Sequence, residues 1–430
     1  MYYFDAWSTQ SLHSWAGAVP WINKNAGIDM RIEYPDREPL LGWYDQADPG
    51  IVAQQVAWMI DYGIDFIVFE VFYESWAAEQ QKIRPTVGLS KYLELPRRGE
   101  IDFAILWCYG SQYNFPEDKP AWDRMVNYWL DNYLLKPEYK RIDGKPVIFI
   151  LNNFIQRAVD IGFASSSEML DRAKELAAEK GLKGLYFVVC ITPLSDLQDR
   201  YDDAMSTGFD ALTAYNWPVK PDYKATMNFY KGGWQRILNM PKVASGQVPL
   251  IVPLLSGFDN RAWGHDYALP STPDQFEEHL IDGRSFILAN PKQTMRTAVI
   301  CAWNEHGEGS VVEPTKKFGF EYLDRIMKVF GRAKKTVKPF DYVKYYPNPI
   351  QPSKGPNYSK MNFVHMPAGT HIKIYTMLGQ VVRDLETDAS GAAVWDGKNN
   401  AGEKVASGVY IVYMKDVSGN EKRIKVAVER

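Results

Sequence analysis

Eight short apolar runs punctuate roughly the first 330 residues of this chain, and they leave few architectures open to it. They are Tyr2–Trp7, Phe66–Phe72, Phe103–Trp107, Val147–Leu151, Leu185–Ile191, Ala211–Tyr215, Leu250–Leu255 and Ala298–Trp303. Runs such as FIVFEVF, PVIFIL and LYFVVCI are almost continuously apolar, as the strands of a parallel sheet are when both faces are covered. Between them lie segments with apolar residues three and four apart: IVAQQVAWMIDYG before the second run, SSSEMLDRAKELAAEKG before the fifth and TPDQFEEHLIDG before the eighth. In SSSEML a serine stands at a helix start with an acid soon after, and KG supplies a glycine stop. Alternating β and α with eight strands is the arithmetic of a (β/α)8 TIM-type barrel, with a doubly wound open sheet as the alternative. No G-x-G-x-x-G follows the first run and there is no Walker A motif, which weakens the nucleotide-binding sheet.

The rhythm changes near residue 335. The stretch GRAKKTVKPFDYVKYYPNPIQPSKGPNYS is rich in Pro, Lys and Gly, as linkers are. Beyond it come short alternating runs separated by turn chemistry: TML-GQ-VVRDL has the form of a hairpin, and WDG and NAG mark further turns. The expected organisation is a barrel over residues 1–335, then a linker and a small all-β immunoglobulin-like sandwich over 336–430.

Charge and cysteine content narrow the partners. Lys and Arg number 49 against 52 Asp and Glu, a near-neutral balance that argues against nucleic acid or an anionic membrane surface as partner. No apolar run reaches the ~18 residues of a membrane span. The 3 cysteines fall in apolar runs and are expected to be core thiols. The histidines show no zinc-ligand spacing, so neither metal nor cofactor is expected. Met1 is followed at once by YYFDAW, a strand and not a signal peptide, so the protein is either cytoplasmic or has lost a leader.

Barrel active sites form where the strands end. The polar residues there are Asp5 and Trp7, then Glu70 and Tyr73, Trp107 and Tyr109, and Asn152 and Asn153. Tyr215-Asn216-Trp217 follow the sixth run, Asp259, Arg261 and Trp263 the seventh, and Trp303-Asn304-Glu305-His306-Gly307-Glu308 the eighth. Carboxylates, amides and indoles without a phosphate signature suit a neutral polyol, hence a carbohydrate. Glu305 and Glu308 are three apart with Gly307 and Gly309 allowing a tight turn, so both carboxyls are able to face one bond. Two carboxyls flanking a glycosidic bond are the equipment for hydrolysing it, and like charges at that spacing raise one pKa. His306 between them suits a substrate hydroxyl, tuning of the acid or a loop cap.

Three segments carry a resemblance to glycoside hydrolase family 99 and the related WbsX-type proteins of polysaccharide gene clusters: GWYDQADPGIVAQQVAWMIDYGIDFIVFE at 42–70, RIDGKPVIFI at 141–150 and WNEHGEGSVVEP at 303–314. The resemblance covers about residues 1–335. It implies a retaining, substrate-assisted α-glycosidase in which Glu305 is the base on the sugar's own 2-hydroxyl and Glu308 the acid on the leaving oxygen. The family pattern is close to Asn-Glu-Trp-His-Glu-Gly, so His306 stands where the family has Trp and Gly307 where it has His. The family 71 α-1,3-glucanases, with a similar Trp-Asn-Asp-Tyr-Gly-Glu run, resemble Gly307 better. Endo-action on an α-mannoside or related α-glycan is the common implication.

Strand-end position further suggests Trp107, Tyr215, Trp217 and Trp303 as sugar platforms, and Glu70, Asn152, Asn216, Asn304 and His306 as groups that bond hydroxyls. Two other functions remain open: a non-catalytic glycan-binding barrel, and a role in assembling surface polysaccharide. YPNP at 346–349, IKIYTMLGQVVRDL, WDGKNNAGEKVASGVYIVY and KRIKVAVER resemble the FlgD-like module that follows secreted enzymes of Bacteroidetes-like bacteria. That resemblance implies a spacer or an export signal contacting export machinery, and a secreted, periplasmic or cell-surface location with the leader removed.

Overall fold

The computed structural model describes residues 1–10, 20–73, 75, 86–109, 114–219, 221–331, 340, 343–355, 358–364, 366–367, 369–388, 391–417 and 419–430. Of the linker-like stretch 331–359, residues 332–339, 341–342 and 356–357 lie outside the described residues, and Lys344–Tyr346 within it forms a strand. The chain divides into two compact units, Met1–Leu93 with Ile101–Arg332, and Glu94–Glu100 with Ala333–Arg430.

All eight apolar runs of the first unit form strands. They are β1 (Tyr2–Tyr3), β2 (Phe66–Val71), β3 (Asp102–Trp107), β4 (Lys145–Ile150), β5 (Tyr186–Cys190), β6 (Ala211–Thr213), β7 (Val252–Leu255) and β8 (Ala298–Cys301). β1 to β6 pair in sequence order, every neighbour parallel. β7 pairs with β8, also parallel. Two backbone contacts close the ring. Ile251 N–H donates to Leu212 O at 2.9 Å, joining β6 to the entry of β7, and Trp303 N–H donates to Tyr2 O at 2.8 Å, joining the end of β8 to β1. The eight-stranded parallel barrel is thus realised, and the open sheet is excluded.

Helices between the strands start where the sequence chemistry says they should. Helix α1 (Pro49–Asp61) is capped by the Asp48 carboxylate, which accepts from Gly50 N–H at 2.8 Å. α2 (Val87–Glu94) begins beneath the buried Asp5, whose two oxygens accept from Gly88 N–H at 2.5 Å and Leu89 N–H at 2.8 Å. A strand-end carboxylate is thereby spent on a helix N-terminus. α3 (Lys119–Trp129) is capped by Asp118, and α4 (Ser166–Glu179) by Ser165, which accepts from Glu168 N–H. α5 is Leu197–Thr207 and α6 is Tyr223–Leu238. α7 (Pro273–Ala289) opens with a full capping box between Thr272 and Gln275. It runs straight through Gly283 because a Cβ there would lie 2.6 Å from Leu254 Cδ2; the glycine permits close approach of helix to strand. α8 is Glu321–Phe330.

The second unit is all-β. His371–Thr376, Val381–Glu386, Gly408–Lys415 and Glu421–Val428 form one antiparallel sheet, and Lys344–Tyr346, Met361–Val364 and Ala393–Trp395 another. The expected hairpin turns at Gly379, whose φ of 85° suits glycine. Alternate residues Ile372, Ile374, Val412 and Met414 enter a core with Phe363 and Trp395 from the other sheet. The core thus lies between the two sheets, as in a sandwich.

Candidate active site

β8 stops at Cys301, and the chain then folds into a small hairpin in which Asn304–Glu305 pairs with Ser310–Val311. Gly309, at φ 63°, closes the four-residue loop between them. The neighbouring segment 257–263 grips this hairpin from the side. Asp259 N–H donates to Glu308 O, Ser310 Oγ donates to Gly257 O at 2.5 Å, and Arg37 Nη1 donates to His306 O at 2.8 Å. Arg37 and Arg261 both pair with the buried Asp259, at 2.7 and 2.6 Å, and hold its carboxyl below the ordinary range.

Glu305 and Glu308 share the mouth of the barrel with a third carboxyl, Glu70, from the end of β2. Glu70 is buried; its Oε1 accepts from Tyr215 O–H at 2.7 Å, and its Oε2 faces the Cys108 thiol at 3.7 Å. Burial pushes Glu70 up to about 8, helped by the nearby charge of Glu308. Glu308 is partly exposed, accepts from Asn216 Nδ2–H at 3.1 Å, and is pushed up to about 7, chiefly by desolvation. Glu305 is raised well above the carboxylate range by burial and then by Glu308 and Glu70. The nearby Trp263 indole and Glu308 backbone N–H work against that shift, while the Glu308 N–H donates to the Glu305 carbonyl at 3.2 Å. Glu305 Oε1 is buried without a hydrogen-bond partner among the described residues. Three carboxyls this close cannot all ionise, so the cluster carries protons at neutral pH. Such an arrangement is able both to donate a proton to a leaving oxygen and to remove one from a hydroxyl.

Several residues named from strand-end position lie elsewhere. Trp107 pairs across the sheet with Val71 while Leu106 pairs with Glu70, so by strand alternation it faces away from Glu70. It is buried against Trp122 and Trp129 of α3, with ring centroids 5.5 and 5.9 Å away, and is core. Trp217 is buried beneath α6; its Nε1–H donates to Ile191 O at 2.8 Å and its ring meets Tyr230 at 4.8 Å. Trp303 is fully buried. None of the three offers a face to a sugar. Asn304 is likewise consumed: its Oδ1 accepts from Phe4 N–H at 2.9 Å and its Nδ2 donates to Phe4 O at 3.0 Å, so the side chain extends the β8–β1 seam. His306 points away from the carboxyl cluster into a buried niche with Trp7 and Trp21, its Nε2 3.0 Å from Glu313. It has no exposed atom for a hydroxyl. Asn152 is exposed and donates to Tyr109 O at 3.2 Å, outside the cluster.

What strand-end reasoning passed over as a site residue is Trp263. Its indole lies directly over Gly307, where a Cβ would sit 2.0 Å from Cε2 and 2.1 Å from Cζ2. The sequence signal was the glycine itself, at a position where the family pattern has a side chain.

Among the described residues no group of three or more His, Cys, Asp or Glu is arranged to hold a metal ion, and no helix is long and apolar enough to cross a membrane. The family model described as "Glycosyltransferase WbsX" matches residues 21–326. A curated relative, "Uncharacterized protein WxcX" of Xanthomonas campestris pv. campestris, is 20% identical over 361 residues, covering 76% of this chain and 48% of its own. The chain therefore spans about half the length of the curated relatives it matches. Two structures of the GH99 endo-alpha-mannosidase from Bacteroides thetaiotaomicron superpose with TM-scores of 0.53 and 0.52, at 14% and 15% identity. They cover 77% of this chain and 94% and 95% of theirs. At that identity the likeness establishes the fold.

Proposed function

The chain belongs to the family described as Glycosyltransferase WbsX, and from that premise we propose that it is a glycoside hydrolase that cleaves an α-linked glycan, most closely an α-mannoside, between Glu305 and Glu308. The single observation that carries this is the largely buried carboxyl cluster: two acids on one tight hairpin, joined by Glu70 and crowded enough to retain protons near neutral pH.

The roles follow from the hydrogen bonds. Glu308, pushed up to about 7, is protonated over a useful fraction of neutral pH and serves as the general acid on the leaving oxygen. Glu305 serves as the base in its ionised form, which burial and the neighbouring Glu308 and Glu70 disfavour until the substrate's hydroxyl takes their place beside it. Its unbonded Oε1 then accepts the proton of the sugar's 2-hydroxyl, whose oxygen attacks the anomeric carbon as the glycosidic bond breaks. Water opens the resulting 1,2-anhydro sugar with retention. A hydroxyl already carried by the substrate makes a protein nucleophile unnecessary. Tyr215 and Asn216 orient Glu70 and Glu308, and Glu70 lies where it can bond a hydroxyl.

The family's printed description names a transferase. Hydrolysis is favoured here because the mouth holds paired carboxyls, while the chain has neither a Gly-rich phosphate turn nor a Walker A motif. The C-terminal unit fits a spacer or export signal for a secreted, periplasmic or cell-surface enzyme.

The test is a screen of α-mannans, α-glucans including α-1,3-glucan, and N-glycans for released oligosaccharide, with NMR of the first-formed anomer. The expected outcome is an α-product from one class. Glu308→Gln is expected to remove the limb of the kcat profile that falls as pH rises past about 7. Binding without any product from the wild-type protein would overturn hydrolysis and leave a glycan-binding barrel.

A further inference from the structure

Trp107, Trp217 and Trp303 are buried away from the barrel mouth, yet among the described residues Trp263 is an indole beside the acid hairpin that is not fully buried. Trp263 follows β7 in the short 3-10 turn Asn260–Trp263 and is partly exposed. Its ring is nearly parallel to Trp7, at 9° with centroids 5.7 Å apart, and Trp7 stacks on Trp21 at 2° and 4.2 Å. Trp7 and Trp21 are buried, so Trp263 is the outermost of three roughly parallel indoles. The pile is a rigid mount that fixes the angle of the exposed ring. The ring's approach to the hairpin is closer than any side chain at position 307 would permit: an ideal Cβ on Gly307 would lie 2.0 Å from Cε2 and 2.5 Å from Nε1. From this seat the Nε1 edge of the indole is turned toward residue 307, two residues from Glu305, whose rise in proton affinity it opposes.

We propose that Trp263 is a positioning and specificity-determining residue: seated where only a glycine at 307 leaves room, it directs its indole N–H toward Glu305 when substrate binds and presents its partly exposed ring as the platform for the sugar beside the bond that is cut. The inference rests on the carbohydrate reading of the mouth. Aromatic rings stack on the C–H face of a pyranose, and an indole also carries a donor at its edge, so one residue supplies both contacts. The substrate class this selects is a glycan whose ring at that subsite presents an apolar face to the indole. Trp263 and Gly307 form one unit; changing either should change both functions.

The experiment uses the full chain with Trp263→Phe, Trp263→Ala and Gly307→Ala, on the oligosaccharide that the screen identifies. Trp263→Phe keeps a ring and loses the donor. It is expected to hold KM within about threefold while kcat falls about tenfold, the scale of one hydrogen bond to a charged group. The acidic limb of kcat should move to higher pH, because Glu305 loses a bond that favours its ionised form. Trp263→Ala should in addition raise KM about tenfold, and Gly307→Ala should reproduce it by pushing the indole out. Calorimetry of the same sugars on the Glu308→Gln protein, with and without Trp263→Ala, separates the two levels of the argument. If the wild-type protein binds sugars but releases no product, the hydrolase reading fails, and loss of binding in Trp263→Ala still supports the platform. Wild-type kcat, KM and pH profile in Trp263→Phe and Trp263→Ala overturn this inference alone, as does binding unchanged by Trp263→Ala. A wild-type protein that binds no sugar overturns both.

Discussion

The two flanks of the Asn304–Val311 hairpin are built from similar residues and behave in opposite ways. On one flank lie Glu70, Glu305 and Glu308; on the other lie His306, Glu313, Tyr44, Gln55, Tyr3 and Gln46. Both are buried. On the His306 flank Glu313 accepts three hydrogen bonds, from Tyr44 O–H at 2.8 Å, Gln55 Nε2–H at 2.6 Å and the His306 ring at 3.0 Å. Gln55 in turn accepts from Tyr3 O–H at 2.6 Å, and Gln46 ties Tyr3 to the backbone of Phe4 and Trp7. One carboxylate is surrounded by donors. On the Glu305 flank three carboxyls share a handful of donors, and their proton affinities rise. A carboxylate saturated with donors is held rigidly, even though His306 Nδ1 beside it has no partner among the described residues, whereas an unsaturated cluster keeps capacity for a ligand's hydroxyls and protons.

The contrast is broken most severely from the unsaturated side. Glu305→Gln is expected to cut turnover about a thousandfold or more while leaving oligosaccharide binding and thermal stability in place, because an amide relieves repulsion as it removes the base. Comparison of kcat, calorimetric binding and melting of the same protein checks this. A fall in stability alongside activity would mean that Glu305 is structural after all.

From the saturated side, Glu313→Ala leaves Tyr44, Gln55 and His306 with buried, unpaired polar groups, and is expected to lower the stability of the barrel unit by about 3 kcal/mol. Denaturant unfolding followed by tryptophan fluorescence measures it. A loss confined to kcat, with stability intact, would erase the distinction between the flanks.

The pH dependence of stability sharpens the comparison further. Folding raises Glu70 from its ordinary 4.5 to about 8, so the folded state holds the extra proton across that window. Its contribution is complete below pH 4.5 and is lost as pH rises through about 8; Glu70→Gln should flatten that alkaline slope. A slope of the opposite sign comes from outside both flanks. His279, sealed on α7 against Tyr230 and Trp234, is held by burial down to about 3 against an ordinary 6.5. The unfolded chain takes up that proton first, so stability is lost as pH falls from 6.5 towards 3, and His279→Leu should blunt the loss. Melting temperatures at a series of pH values test both slopes.

The strands were legible because burial on both faces writes a dense apolar run, and the helix starts because Asp48, Ser165 and Thr272 cap by local bonds. The acidic pair was legible for a related reason: Glu305 and Glu308 are three residues apart with glycines beside them, so their proximity is a matter of local geometry. The sugar platforms were not. Trp107, Trp217, Trp303 and Trp263 all follow a strand end, and which one meets solvent depends on strand parity, on how closely α6 packs over Trp217, and on what leans across Gly307.

By itself, then, the amino-acid order determined what depends on neighbours along the chain: the alternation of strands and helices, their starts, and an acid pair on one loop. The folded arrangement alone decided what depends on distant parts of the chain. Asp5 became a helix cap, Asn304 a seam and His306 a partner of Glu313 because segments far apart in sequence met them. Glu70 joined Glu305 and Glu308 because β2 and β8 end at the same rim. A side chain's polarity is written in its own chemistry, but whether that polarity is satisfied is settled by its neighbours in space.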